Sequence, residues 1–242
     1  MARAHLPILV LASVLSACSK SKPPPAGLAL EIGFEDTCEP SVGSDLASDV
    51  PAAGISFDSG LEGRAARFDG SGAELKFRGL DALHVADAMT LEFFAKPADW
   101  TNPYAAGSGL ESLISHSDIF TIAVDPRSWK LSARITTNES ADAQRLEGGT
   151  MRPGAWHHVA MVLDPAQGKA RLVLDGEVVD EKVARGSVAI RSNLDLVIGT
   201  WFKKNQAYCG ELDSIRIWSR ALSADEIRAH AALVRDGGRS ES

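Results

Sequence analysis

Residues 156–179 (WHHVAMVLDPAQGKARLVLDGEVV) restrict the possible fold of this chain more than any other stretch. They open a series of three β-prone runs, namely His157–Asp164, residues 170–174 and Glu177–Val183. The first two runs are separated by the turn-forming sequence Pro165-Ala-Gln-Gly168. Asp175-Gly176, before the third run, is typical of a two-residue type I′ turn. The stretch therefore predicts an antiparallel meander, against which the rest of the chain packs.

The remaining sequence consists mostly of short β-prone runs separated by turn residues. A short helical turn is expected at residues 80–86, and one helix at residues 219–237, where Ser223 and Glu226 fit a capping box. Many short strands with one terminal helix are typical of a β-sandwich or barrel. The chain has 242 residues, 45% of them hydrophobic, which is enough for one sizeable core. Besides the meander, strands are expected at residues 28–35, 65–69, 73–77, 89–96, 111–117, 120–124, 130–137, 144–147, 194–200 and 210–218.

Four segments, in order along the chain, resemble the concanavalin A-like, laminin G-like jelly-roll domains of bacterial surface proteins. They are GRAARFDGSGAEL at residues 63–75, MTLEFFAKP at Met89–Pro97, the meander at residues 156–179, and GELDSIRIWSRALSADEI at residues 210–227. The resemblance spans residues 28–236 and implies an all-β fold, an antiparallel two-sheet β-sandwich (jelly roll) with one short C-terminal helix. It also implies that Trp156 and Trp218 are buried in the core. The matching positions are Gly63, Ala65, Phe68, Asp69, Gly70, Trp156, His158, Val159, Ala160, Asp175, Gly176, Gly210, Asp213 and Ile217.

The N-terminal residues have the features of an export signal. Arg3 precedes a short apolar run at residues 6–17, which is shorter than the roughly 20 residues that a membrane-spanning helix needs. The sequence LSAC, ending at Cys18, resembles a bacterial lipobox, which implies cleavage before Cys18 and acylation of that residue with chains such as palmitate. Ser19 stands where Asp signals inner-membrane retention, so the same analogy favours the outer membrane. The alternative is an ordinary secretory peptide with a chance cysteine.

We therefore divide the chain into a lipoprotein signal peptide at residues 1–17, a lipidated cysteine and flexible tether at 18–27, the laminin G-like sandwich at 28–236 and a disordered tail at 237–242. An exported protein lies in an oxidising compartment, where cysteines form disulfide bonds. Cys38 and Cys209 are the two cysteines left beside Cys18, and we expect them to pair. The alternative is two free thiols.

Composition and motifs argue against several functions. The formal charge of -7 and the pI of about 5.4 argue against nucleic acid, which needs a basic surface. His157 and His158 are adjacent on a strand and point to opposite faces, so they cannot bind one metal ion together. Glu211 and Asp213 share a strand face and could serve as the carboxylate pair of a glycosidase, but no aromatic residues flank them at sugar-stacking spacing. We therefore expect no enzymatic activity.

A structural calcium ion is implied by the resemblance, because related domains often hold one where the first and last strands meet. The matching candidates are Glu35 or Asp36 after the first strand and Asp213 in the last strand. Carboxylate oxygens are ligands that calcium prefers. The alternative is that Asp213 only bonds backbone groups or an arginine.

Candidate ligand-binding residues are the aromatic side chains of predicted loops, because an exposed ring can stack on a sugar. Trp100 and Tyr104 lie in the loop at residues 98–109, and Trp201 and Phe202 precede two lysines. We expect a non-enzymatic binding or adhesion module that presents these loops to a glycan or to an extracellular or periplasmic protein. The alternatives are a glycoside hydrolase or lyase that uses Glu211 and Asp213, and a structural subunit of a cell-envelope complex.

Overall fold

The computed structural model describes residues 23–43, 46–49, 54–85, 87–98, 109–117, 119–140, 142–188, 194–201 and 206–237. Within these ranges, a 3₁₀ helix spans Leu80–Leu83, and the helix α1 spans Ala224–Gly237. The strands are β1 (Leu28–Ile32), β2 (Ala47–Asp49), β3 (Ile55–Ser59), β4 (Arg64–Asp69), β5 (Leu75–Arg78), β6 (Met89–Pro97), β7 (Glu111–His116), β8 (Phe120–Val124), β9 (Lys130–Ile135), β10 (Gln144–Thr150), β11 (His157–Asp164), β12 (Lys169–Leu174), β13 (Glu177–Val183), β14 (Leu196–Ile198) and β15 (Cys209–Trp218).

The strands form two sheets whose paired strands are antiparallel. Sheet A has eight strands in the order β13-β12-β11-β6-β15-β4-β3, and β1 also pairs with β15. Sheet B has seven strands in the order β10-β9-β8-β7-β14-β5-β2. Buried apolar side chains of both sheets form one core between them. The antiparallel two-sheet sandwich expected from the sequence is therefore confirmed.

The strand β11 of the predicted meander is buried along its whole length. Its residues Val159, Met161 and Leu163 belong to the main core. Ala160 and Val162 instead belong to a second apolar cluster on the outer face of sheet A. Because both faces of the strand are covered, the strand is apolar at most positions and does not alternate.

The helix α1 covers the outer face of sheet A at this second cluster, where Ile227 packs with Leu222 and Trp218. The predicted capping box is present: Ser223 Oγ accepts from the Glu226 amide at 3.3 Å, and the Glu226 carboxylate accepts from the Ser223 amide at 2.9 Å. The helix begins at Ala224, later than the predicted residue 219, because Ser223 is the capping residue. No helix among the described residues is long and apolar enough to cross a membrane.

The N-terminal strands depart most from the sequence prediction. β1 ends at Ile32, because Phe34 and Asp36 have φ angles of 58° and 57°, in the left-handed region that interrupts an extended strand. β3 was not predicted, since its sequence ISFDS is short and has polar residues at alternate positions. In the structure it pairs with β4 at the edge of sheet A.

The expectation that Trp156 is buried in the core is not met in the structure. Trp156 is half-buried rather than part of the core, and the Lys96 ammonium lies 5.9 Å from the centre of its ring. Trp218 is buried as expected.

Cys38 and Cys209 are buried free thiols, so the expected disulfide is not observed and stays a prediction from the sequence. Burial, together with nearby carboxylates, raises the pKa of Cys38 to about 11 and that of Cys209 to about 12.

Candidate ligand-binding groove

An open groove of about 210 Å³ lies on the outer face of sheet B. Its floor comes from strands β7 to β10, and residues on both sides of the segment 202–205 form one wall. On sheet A, in contrast, α1 covers the part of the outer face that carries the second apolar cluster. The lining residues are Leu110, Ser112, Thr121, Ala123, Asp125, Lys130, Ser132, Ala133, Arg134, Arg145, Glu147, Trp201 and Gln206.

Strand alternation places the polar side chains of the floor in the groove. In β9, Leu131, Ala133 and Ile135 belong to the core, so the intervening Ser132 and Arg134 point outward. The same argument applies to β10, where Leu146 belongs to the core between Arg145 and Glu147.

The strand register arranges these side chains in two rows across the sheet. One row runs Thr121, Arg134, Arg145, because each residue is the direct partner of the next. The second row runs Ser112, Ala123, Ser132, Glu147 by the same pairing. The floor is therefore a regular surface of mostly polar side chains, built from four strands.

The charged residues of the groove are three cations and two anions. Lys130 Nζ lies 3.2 Å from a carboxylate oxygen of Glu147, so these two charges balance. The Asp125 carboxylate accepts from the backbone amide of Arg127 at 2.9 Å. Arg134 and Arg145 add two further positive charges beside them.

Apolar groups border this polar floor. Trp201 is half-buried against the groove, and Leu110 on the rim is 38% exposed. An aromatic ring beside hydrogen-bonding side chains can bind a sugar, which has both apolar C–H faces and hydroxyl groups. The arrangement therefore suits a carbohydrate better than a purely apolar ligand.

Of the aromatic residues selected from the sequence, Trp201 lies in the groove. Trp100, Tyr104 and Phe202 lie outside the described residues, as does Cys18. Sequence reasoning missed Arg134 and Arg145 because it searched loops for aromatic rings. The alternation of LSARI in β9 was the signal that could have located the first of them on a polar sheet face.

The acidic residues proposed for calcium meet at one turn but have separate partners. Asp213 is fully buried, and one of its carboxylate oxygens accepts from the amides of Leu61 and Glu62 at 3.0 and 3.3 Å. Burial raises the pKa of Asp213 to about 6, although these hydrogen bonds and one from Ser214 oppose that shift. The structure thus has the backbone bonding that was the alternative to a calcium ligand.

The other two calcium candidates lie on the opposite side of that turn, next to Arg64. The Asp36 carboxylate is 3.0 Å from Arg64 Nε, and Glu35 accepts weakly from the Arg64 amide at 3.4 Å. Within the described ranges no three His, Cys, Asp or Glu side chains are placed to hold a metal ion. As arranged, these carboxylates do not fit a calcium ion.

The candidate hydrolytic pair is also divided between two environments. Glu211 lies 3.2 Å from Lys96 and borders a separate cavity at the edge of sheet A. Asp213 does not line that cavity and is covered by the turn at residues 60–62. The two carboxylates therefore do not open onto a shared cleft in the described part of the chain.

A buried polar cluster, defined by Glu92, His158, Trp218 and His230, lies between sheet A and α1. Glu92 accepts from Trp218 Nε1 at 2.9 Å, and its carboxylate lies 3.2 Å from His158 Nε2 and 3.0 Å from His230 Nδ1. Burial alone would raise the pKa of Glu92, but the bonds to both histidines outweigh it and lower the pKa to about 2. This cluster holds the helix on the sheet, and His158 is packed as expected from the sequence.

Comparison with known proteins agrees with this architecture. The family described as the concanavalin A-like lectin/glucanases superfamily matches residues 69–228. No curated protein sequence matches the chain.

Three solved structures have a similar fold. The binding domain of Paraclostridial Mosquitocidal Protein 1 has a TM-score of 0.71 at 15% identity, with coverage of 85% of this chain and 52% of that one. The ligand-binding domain of botulinum neurotoxin serotype D, in complex with N-acetylneuraminic acid, has a TM-score of 0.65 at 11% identity, with coverage of 85% and 50%. Domain 4 of AbnA, an extracellular arabinanase from Geobacillus stearothermophilus, in complex with arabinotriose, has a TM-score of 0.63 at 17% identity, with coverage of 85% and 98%.

The chain thus spans about half the length of the two toxin domains and nearly all of the arabinanase domain. At these identities the similarity establishes the fold alone.

Proposed function

The chain belongs to the concanavalin A-like lectin/glucanases superfamily, and we propose that it is a non-enzymatic module that binds a glycan in the groove of sheet B. The observation that carries this proposal is the groove itself, where Trp201 borders two rows of outward polar side chains. The arabinotriose bound to the arabinanase domain and the N-acetylneuraminic acid bound to the toxin domain are consistent with a carbohydrate ligand on this fold.

A preformed groove suits a sugar because it needs no rearrangement to accept one. The floor is part of a hydrogen-bonded sheet whose other face is the core, so its side chains are held in fixed rows. Side chains that are already held in place lose less conformational entropy when a ligand binds, and this favours binding of a flexible polymer.

Glycan-array binding of the full chain, followed by titration calorimetry, tests this proposal. We expect the Trp201→Ala variant to bind its best glycan at least about ten-fold more weakly, since the ring provides the apolar contact. Trp156→Ala is the matched control, because Trp156 is also half-buried but lies beside Lys96 on the other sheet. Equal losses in both variants, or unchanged binding in Trp201→Ala, would reject the groove as the site.

The absence of catalysis is part of the same proposal. Wild-type chain incubated with a panel of polysaccharides should release no new reducing ends. Release that disappears in Asp213→Asn, with the melting temperature preserved, would favour the hydrolase alternative instead. A protein that co-purifies with the chain, without any glycan binding, would favour the structural-subunit alternative.

We further propose that the module is anchored to the bacterial outer membrane through acylated Cys18, as the lipobox sequence suggests. Acylation at two positions gives stable membrane attachment, whereas a single chain is marginal. Expression in a bacterium with radiolabelled palmitate should label the wild-type chain and leave Cys18→Ser unlabelled. Density separation of the two membranes then locates the labelled protein, and labelled protein in the inner-membrane fraction would contradict the outer-membrane assignment.

A further inference from the structure

A carboxylate lies at one end of the groove and is held in place by the turn between β8 and β9. Asp125 is the first residue after β8, and its side chain lines the groove. One carboxylate oxygen accepts from the Arg127 amide at 2.9 Å, and the backbone carbonyl of Asp125 accepts from the Trp129 amide at 2.6 Å. An aspartate that bonds the backbone two residues further on stabilises such a turn, and the bond restrains its own side chain.

Most of the hydrogen-bonding capacity of Asp125 stays available to a ligand. An ionised carboxylate has about four lone-pair positions, and the bond from the Arg127 amide uses one of them. Within the described ranges Asp125 is in no ion pair, and its side chain is half-buried. A restrained acceptor loses less conformational entropy on binding than a mobile one.

An apolar side chain lies beside this carboxylate. Glu111 in β7 is the register partner of Val124 in β8, and Leu110 and Asp125 are the next residues toward the same end of the groove. Leu110 lines the groove and is 38% exposed. An exposed apolar group next to a carboxylate suits a sugar ring, on which C–H groups and hydroxyls lie close together.

A cation lies on the other side of Asp125. Lys130 begins β9, and its backbone carbonyl accepts from the Asp125 amide at 3.0 Å. The Lys130 ammonium has three N–H donors, one of which is donated to the Glu147 carboxylate at 3.2 Å. Because the Lys130 side chain is 50% exposed and lines the groove, the other donors can reach a ligand oxygen.

We propose that Asp125 is the specificity-determining residue of the groove and that it binds two adjacent hydroxyl groups of a neutral sugar. This inference rests on the proposed glycan-binding function and names the sugar feature that the groove selects. Each hydroxyl donates to a carboxylate oxygen, and such charge-assisted bonds are roughly twice as strong as neutral ones. Lys130 donates to a hydroxyl oxygen, and Leu110 packs against the C–H groups of the ring. A sugar carboxylate in the same place would be repelled by Asp125, so the selected ligand is neutral.

The test compares hexasaccharides with the full chain by titration calorimetry. The internal units of cellohexaose and of linear arabinohexaose have two adjacent free hydroxyls, whereas laminarihexaose has none, because its linkage uses the middle hydroxyl of each unit. We expect the better of the two diol-bearing ligands to bind at least about ten-fold more tightly than laminarihexaose. Hexagalacturonate, which has adjacent hydroxyls and also carboxylates, should bind at least about ten-fold more weakly than that ligand.

Variants of Asp125 separate ligand binding from a structural role in the turn. Asp125→Asn keeps an oxygen that can accept from the Arg127 amide but loses the charge and one acceptor. Its affinity for the better neutral ligand should fall about ten- to hundred-fold, while any binding of laminarihexaose stays unchanged. Asp125→Glu keeps the charge but displaces the carboxylate, so it should also bind that ligand more weakly. Asp225→Asn, which changes an exposed carboxylate of α1 on the other sheet, is the control and should leave all affinities unchanged.

Several results would overturn this inference and leave the proposed function intact. They are full affinity in Asp125→Asn, an equal loss for every ligand together with a lower melting temperature, or binding of laminarihexaose or hexagalacturonate that equals that of the better diol-bearing ligand. Failure of all four hexasaccharides alongside a positive glycan array would have the same consequence. Failure of the four hexasaccharides and of the whole array would overturn both the inference and the proposed function.

Discussion

The Nδ1 atom of His157 lies 2.8 Å from a carboxylate oxygen of Asp175, and this bond joins the first strand of the meander to its second turn. His157 Nε2 accepts from the Arg152 amide at 2.7 Å, so the ring proton is on Nδ1 and is donated to Asp175. The other Asp175 oxygen accepts from the His158 amide at 2.9 Å. Asp175 is thereby fixed at a φ of 53°, as the type I′ turn requires.

Replacing Asp175 with Ala should destabilise the protein by about 1–3 kcal/mol, because it leaves the buried His157 ring without its acceptor. Asp175→Asn should cost less, since the amide oxygen can still accept and asparagine tolerates a left-handed φ. Urea denaturation at neutral pH measures both. The control is Asp58→Ala, which breaks an exposed ion pair with Arg67 and should cost no more than about 1 kcal/mol. A larger loss in the control than in Asp175→Ala would contradict this prediction.

Replacing Glu92 with Gln should destabilise the protein by about 3–5 kcal/mol, because it removes one partner of a buried charged cluster. The folded pKa of about 2 lies below the ordinary 4.5, so the stabilisation by Glu92 is present above pH 4.5 and is lost as the pH falls toward 2. The variant should therefore show a smaller loss of stability on acidification than wild type. If wild type and Glu92→Gln lose the same free energy of unfolding between pH 4.5 and pH 2, the proposed role of the Glu92 carboxylate is wrong.

Asp213 should have the opposite pH dependence. Its folded pKa of about 6 lies above the ordinary 3.8, so the folded state holds the proton more tightly than the unfolded state. The contribution of Asp213 to the free energy of unfolding is greatest below pH 3.8 and is lost as the pH rises through about 6. The free energy of unfolding of wild type, relative to that of Asp213→Asn, should fall across this interval. A constant difference between the two curves would contradict the raised pKa.

Calcium removal provides a direct test of the three carboxylates at the turn. Asp213 bonds backbone amides and Asp36 pairs with Arg64, so we expect a chelator to leave the melting temperature of the purified chain unchanged. Metal analysis of the same sample should find less than one calcium per chain. A drop in melting temperature that added calcium reverses would instead establish the structural ion that the sequence predicted.

Thiol labelling decides between the free cysteines of the structure and the disulfide of the sequence prediction. Buried thiols with raised pKa values react slowly, so Cys38 and Cys209 should resist maleimide in the folded state. In denaturant without reductant, both should react within minutes. Labelling that needs prior reduction would establish the Cys38–Cys209 bond, and mass spectrometry of a non-reduced digest would locate it.

The sequence predicted most reliably what is encoded locally. β11 ends before the Pro165-to-Gly168 turn and β13 begins after Asp175-Gly176, and the limits of both strands are those expected. The capping box at Ser223 likewise depends on residues three apart. The polar rows of the groove could not be predicted in this way, because their register joins β7, β8, β9 and β10, whose alignment depends on the assembled sheet. Trp156 was misjudged for a similar reason, since the Lys96 ammonium that lies over its ring belongs to another strand.

The position of β1 determines how the domain faces its surroundings. Leu28, the first residue of that strand, packs with Trp218 and Ile227 in the apolar cluster beneath α1, on the opposite side of the sandwich from the groove. A chain held to a surface through the residues before Leu28 is thus attached on the side of the sandwich that carries α1. In such an arrangement the point of attachment and the groove lie on opposite sides of the sandwich, so that attachment leaves the groove uncovered.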